Sequence, residues 1–193
     1  MKTEKINNIA ITLILIAIAT VTRLMVPEHQ QWNFTGLGSV LLFATFYFKN
    51  SKLNYLLPVI IMFISDLFLV FFYNIPYQSP IYYLAFLSYV LMSSHFINKI
   101  KIKNIALAGV SGATLFFLVS NFLVWLQTGI VGGEYTLTFG GLIHCYIKGL
   151  YPFHTNQLIA DISFSFIIFG VYDIAKTIAK NLSTNKKTSR FTS

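Results

Sequence analysis

From Ile105 to Leu126 the chain carries no charged residue. Such a run, as a helix rising about 1.5 Å per residue, is long enough to cross the roughly 30 Å hydrocarbon core of a bilayer. It is one of a series. Ile6 to Val26, Leu53 to Phe72, Ile81 to Ile97 and Gln157 to Ile178 have the same apolar character, and Gly36 to Phe48 is a shorter version. The segments are separated by turns such as Lys49-Asn50-Ser51-Lys52 and Asn74-Ile75-Pro76-Tyr77-Gln78-Ser79-Pro80. Charged residues make up 10% of the chain and apolar ones 55%, too little polar surface for a water-soluble domain of this size. The apolar runs are too continuous for a membrane β-barrel, whose strands alternate in polarity. The expected fold class is therefore all-α: a polytopic membrane bundle of about six transmembrane helices.

Between the fifth and sixth spans, Leu137 to Tyr151 is apolar but too short and too Gly-rich to cross. Phe139, Leu142, Ile143, Tyr146, Ile147 and Leu150 recur at helical spacing, with His144, Cys145 and Lys148 on the other face. This predicts a short interfacial or re-entrant helix. Span 2 is too short to reach across unaided, so Trp32-Asn33-Phe34-Thr35 must dip toward the membrane, with Asn33 or Thr35 as helix cap. Lys2 and Lys5 before an apolar run, with Ala17-Ile18-Ala19 beyond, have the look of a signal peptide. The run continues to Met25, longer than a typical signal core, and reads as a retained span. Residues 1–180 form one membrane domain, and 181–193 a basic, disordered tail.

The net charge of +8 does not mark a nucleic-acid surface. With the N-terminus inside, twelve of the fourteen Lys and Arg residues fall on the cytoplasmic side, leaving Arg23 and Lys148 outside. This is the positive-inside bias, and it predicts a multi-pass protein of the cell membrane with both termini cytoplasmic. One cysteine, Cys145, excludes an internal disulfide.

Given that orientation, the polar residues of the spans gather toward the outer side. Arg23 ends span 1, Asp66 lies in the outer half of span 3, Asn121 and Trp125 near the outer end of span 5, and Asp161 near that of span 6. His29, Trp32, Asn33 and Tyr83 belong to the outer connections. Ionisable groups in a membrane cost at least ~2.5–3.5 kcal/mol each on insertion scales, and so face the protein interior and act there. The expectation is an outward-facing binding cup, with a floor of Asp66, Asn121 and Asp161, walls of Trp32, Asn33, Tyr83 and Trp125, and an Arg23–Asp66 ion pair. No cofactor is expected. His144 and Cys145 are weak candidates for a soft metal pair. Two other readings compete: a structural or assembly protein whose polar residues staple helices, and an intramembrane hydrolase using Asp66 and Asp161 as a carboxylate pair. The hydrolase reading lacks any accompanying catalytic motif.

The stretches Arg23-Leu24-Met25-Val26-Pro27-Glu28-His29, Trp32-Asn33-Phe34-Thr35, Leu57-Pro58, Ser65-Asp66-Leu67, Pro80-Ile81-Tyr82-Tyr83-Leu84-Ala85-Phe86, Phe117-Leu118-Val119-Ser120-Asn121-Phe122 with Trp125, Cys145-Tyr146 and Pro152-Phe153 carry a resemblance. The chain resembles an uncharacterised family of small prokaryotic six-helix membrane proteins regarded as transport proteins. That family is similar to the substrate-binding S components of energy-coupling-factor vitamin transporters, nearest the solitary cobalamin type. The resemblance implies a cup of six helices, open outward, that captures a micronutrient such as a corrinoid, with an ATP-driven energising module as a partner. Where such cobalamin binders can place a cobalt-ligating cysteine before span 4, this chain has Ser79. His144 and Cys145 would then be the candidate cobalt ligands. The alanines Ala10, Ala17 and Ala19 of span 1 do not reproduce the Ala-x-x-x-Ala coupling motif.

Overall fold

A computed structural model describes residues 2–24, 34–49, 53–74 and 80–189, and among them there are helices and no strand. Helix α1 spans Lys2–Leu24, α2 Leu37–Tyr47, α3 Leu53–Tyr73, α4 Tyr83–Phe96 after a 3₁₀ turn at Pro80–Tyr82, and α5 Ile102–Ile130. The short α6, Phe139–Gly149, leads through a π-helical turn at Leu150–His154 into α7, Thr155–Ser189. Two stretches are long and apolar enough to cross a membrane, Ile102–Ile130 and Phe139–Leu182, while Asn8–Leu24, Leu37–Tyr47 and Val59–Tyr73 are shorter apolar helices.

The shortest of the main helices is the central one. At about 1.5 Å per residue α2 is roughly 16 Å long, yet it packs against α1, α3, α4, α5 and α7. Every residue from Leu37 to Thr45 is buried. An apolar sequence with no polar stripe suits a helix surrounded on all sides. Its start differs from expectation. The cap residue is Gly36, without a side-chain cap bond, and the Gly36 N–H donates to Thr22 Oγ1 of α1 at 3.2 Å. Thr35 does not cap the helix, and Asn33, the other expected cap, lies outside the described residues.

Small residues set the tight contacts. Ala108, Gly109, Gly112 and Ala113 of α5 are all buried, so their small faces serve this bundle and are not presented to a partner. A Cβ on Gly112 would come within 2.8 Å of the Tyr89 ring, and one on Gly38 within 2.6 Å of the same ring's other end. Tyr89 of α4 thus lies between two backbones that only glycine lets close enough.

Helix α6 turns part of its apolar stripe away from the bundle. Cys145 is its buried residue, against α5, while Phe139, Ile147 and Leu150 of the apolar stripe are more than half exposed. Its start follows the expected chemistry: the Thr138 side chain accepts from the Gly141 N–H at 3.2 Å. Helix α7 runs to Ser189, past the expected end of span 6 at Ile178 and into the segment expected to be disordered. Between Val171 and Ser189 it contains no Gly or Pro to end it.

Candidate functional site

A cavity of about 740 Å³ opens at one end of the bundle. It lies beyond the N-terminal end of α2, where Phe34 and Thr35 line it, in the space that the short central helix leaves unfilled. The ends of α1, α3, α4, α5 and α7 and the C-terminal end of α6 form its walls.

On one wall, Arg23 at the end of α1 meets Asp66 of α3. Arg23 Nη1 is 2.5 Å from Asp66 Oδ1, and the same nitrogen donates to Ser65 Oγ at 2.6 Å. Tyr83 at the start of α4 donates to the other carboxylate oxygen, Oδ2, at 2.6 Å. The expected ion pair is therefore formed, with side chains 15% and 5% exposed. The i,i+1 step from Ser65 to Asp66 places a hydroxyl and a carboxylate within reach of one guanidinium.

On another wall, Gln157 of α7 lines the cavity and donates from Nε2 to Tyr89 Oη at 2.7 Å. Tyr89 in turn donates to Asp161 Oδ2 at 2.5 Å. Asp161 is 1% exposed and does not line the cavity. It belongs to a layer beneath, where its backbone carbonyl accepts from Ser39 and Ser39 accepts from Ser165. The expected floor residue is thus replaced by Gln157, one helical turn nearer the opening. Asn121 does line the cavity, with Ser120 beside it, and its amide donates to the Phe117 carbonyl at 2.9 Å. Phe86, Phe116 and Phe117 supply apolar wall.

His154 completes this side. Its ring stacks on Phe117 at 4.6 Å, and its buried Nδ1 has no hydrogen-bond partner among the described residues. At the rim, Lys148 of α6 donates to Glu134, both about half exposed, and that bond holds the Glu134 carboxyl below its usual range.

Of the sequence-derived site residues, Arg23, Asp66, Tyr83 and Asn121 meet at this cavity. His29, Trp32 and Asn33 lie outside the described residues. Trp125 does not line it; its indole N–H donates to the Thr136 carbonyl at 2.8 Å, tying α5 to the following loop. His144 and Cys145 do not share a site. The Cys145 thiol faces the Asn121 carbonyl at 3.4 Å, whereas His144 is exposed with its edge on Tyr135. No group of three His, Cys, Asp or Glu side chains converges among the described residues. Asp66 and Asp161 are served by different tyrosines, with only Asp66 at the cavity, an arrangement unlike a carboxylate dyad.

Sequence reasoning puts Glu134, His154 and Lys148 on the outer side without assigning them to the cup, and it missed Gln157 as a cavity residue. Gln157 had a readable signal, lying four residues before Asp161 on the same helical face. The other three depend on how α6 folds back on α5.

The chain belongs to a family of unknown function (DUF6580), which it matches over residues 3–183. No curated protein and no solved structure matches it.

Proposed function

We propose that this member of the family is a multi-pass cell-membrane protein that binds a small organic molecule from the outer side, as the substrate-binding part of an uptake system. In this reading α1 to α5 and α7 cross the bilayer, α6 lies at the outer interface, and both termini are cytoplasmic. The Lys and Arg distribution supports the orientation. The outward faces support the setting: Phe71 is 86% exposed and Phe139 79%, surfaces suited to hydrocarbon. A fully enclosed α2 has no lipid-facing backbone, so its crossing need not match the hydrocarbon thickness unaided.

The observation that carries the proposal is a cavity of about 740 Å³ with a nearly buried ion pair in its wall. Its volume falls within the roughly 300–1,000 Å³ of small-molecule sites. Withdrawing a guanidinium and a carboxylate from water costs several kcal/mol per ion. In a membrane protein that cost is borne where the charges serve a substrate path. Beyond the carboxylate–guanidinium pair, the lining is aromatic rings with amides and hydroxyls, which suits a vitamin-sized micronutrient. Corrinoids are within the reading, as is an ATP-driven partner module.

The test is native mass spectrometry of protein extracted from cells grown in rich medium, followed by calorimetry with a panel of vitamins that includes corrinoids. A bound small molecule, or saturable binding of a panel member, is the expected result. An empty protein that binds nothing in the panel would remove the binding-component reading.

A further inference from the structure

Arg23 uses one nitrogen for both of its protein contacts. Nη1 holds Asp66 and Ser65, while Nε and Nη2 have no partner among the described residues. Those two atoms form a flat edge with two parallel N–H groups, the fork with which arginine makes bidentate contacts. Asp66 and Ser65, with Tyr83 behind Asp66, fix the plane of the guanidinium and so orient that edge in advance.

Two kinds of ligand fit such a fork: an oxyanion such as a carboxylate or phosphate, or a neutral ring carrying a carbonyl oxygen beside a ring nitrogen. Charge decides between them. Among the described residues, the charged side chains that line the cavity are Arg23 and Lys148 against Asp66 and Glu134, a balanced set. A ligand oxyanion would place a second anion on a guanidinium already neutralised by Asp66, leaving at least one negative charge uncompensated in a site of low dielectric. A neutral acceptor pair satisfies the two N–H groups without disturbing that balance. The other walls include aromatic rings that a flat ligand could pack against. Phe86 and Phe116 pack with centroids 4.4 Å apart, and the unpartnered His154 Nδ1 offers a further polar contact.

We infer that the ligand class of this cavity is an uncharged planar heterocycle with a carbonyl oxygen beside a ring nitrogen, read in bidentate fashion by Nε and Nη2 of Arg23. The inference rests on the binding-site reading above and narrows it.

The experiment is calorimetry on the full chain in nanodiscs with matched probes: pterin against 2,4-diaminopteridine, and hypoxanthine against adenine. In each pair an amino group replaces the carbonyl. Benzoate is the carboxylate probe. At least one carbonyl heterocycle should bind, with its amino counterpart and benzoate each at least about tenfold weaker. Arg23→Lys keeps the charge for Asp66 but removes the fork, and should lose the discrimination within the pair. If Arg23→Lys proves unstable, the doubly neutral Arg23→Gln/Asp66→Asn variant serves instead, with the same expectation. Tighter binding of benzoate, equal binding within both pairs, an unaffected Arg23→Lys, or no binding of any carbonyl heterocycle overturns the inference. The binding-site reading fails separately, on an empty protein in mass spectrometry that also binds no vitamin.

Discussion

Tyr89 shows how far one side chain can determine its surroundings. It is fully buried, it donates to Asp161, and it accepts from Gln157. It is therefore the link between a core carboxyl and the cavity wall. Tyr89→Phe keeps the ring that Gly38 and Gly112 admit, but removes the hydroxyl, leaving the Asp161 side chain without a donor. A buried polar group left unpaired costs about 1–3 kcal/mol. Thermal unfolding of the variant in detergent should show a loss of that size, and an unchanged midpoint would mean that water replaces the hydroxyl. The Arg23–Asp66 pair calls for a different measurement, because removing either partner strands the other. Arg23→Ala and Asp66→Asn should each destabilise by up to about 3–5 kcal/mol. The double variant should lose clearly less than their sum, the sign of direct coupling. Strict additivity in thermal unfolding would contradict the 2.5 Å contact as a source of stability. The pair was legible in the sequence because two opposite charges at matching depth in apolar spans need each other. Gln157 was not singled out, because an amide at a helix start reads equally well as ordinary interfacial polarity.

Elements were easier to read than their faces. Predicted and observed helix ends agree within a few residues for α2 to α6, since apolar runs and turn residues mark them directly. What an apolar stripe touches is a separate matter. Hydrophobic periodicity finds the stripe, but protein interior and hydrocarbon are both apolar, so it does not say which of them receives it. Helix α6 presents Phe139, Ile147 and Leu150 outward and buries Cys145 against Asn121. Backbone contacts, by contrast, follow from small residues. Gly112 lies against the Tyr89 ring, and a methyl there would come within 2.8 Å of it. Tyr89 is anchored at its hydroxyl end and cannot swing away without breaking two hydrogen bonds. Gly112→Ala should therefore cost about 1–3 kcal/mol by overpacking, even though alanine is the better helix former. Gly170, with nothing within 4 Å of an added Cβ, is the control. Gly170→Ala should be neutral or slightly stabilising in the same unfolding assay.

At the scale of the molecule, the cavity and the proposed membrane orientation depend on each other. The cavity residues come from the C-terminal ends of α1, α3 and α5 and the N-terminal ends of α2, α4 and α7. Helices that alternate in direction bring those ends to one side only. Lys49, Lys99, Lys101 and Lys103 lie at the opposite ends. If positive charge marks the cytoplasm, the cavity must open outward, and an outward opening is what uptake requires. One labelling experiment therefore tests topology and function together. In a Cys145→Ser background, Asn104→Cys lies at the cavity-distal end, in the first turn of α5, and Val131→Cys follows α5 at the cavity end. Val131 is 75% exposed, so its reach to a reagent is not limited by packing. An impermeant thiol reagent applied to intact cells should label position 131 and spare position 104, with both reacting after the membrane is opened. The reverse pattern would turn the cavity toward the cytoplasm. The protein would then present its ion pair and aromatic walls to cytoplasmic molecules, and the uptake reading would fall even if the cavity bound a ligand.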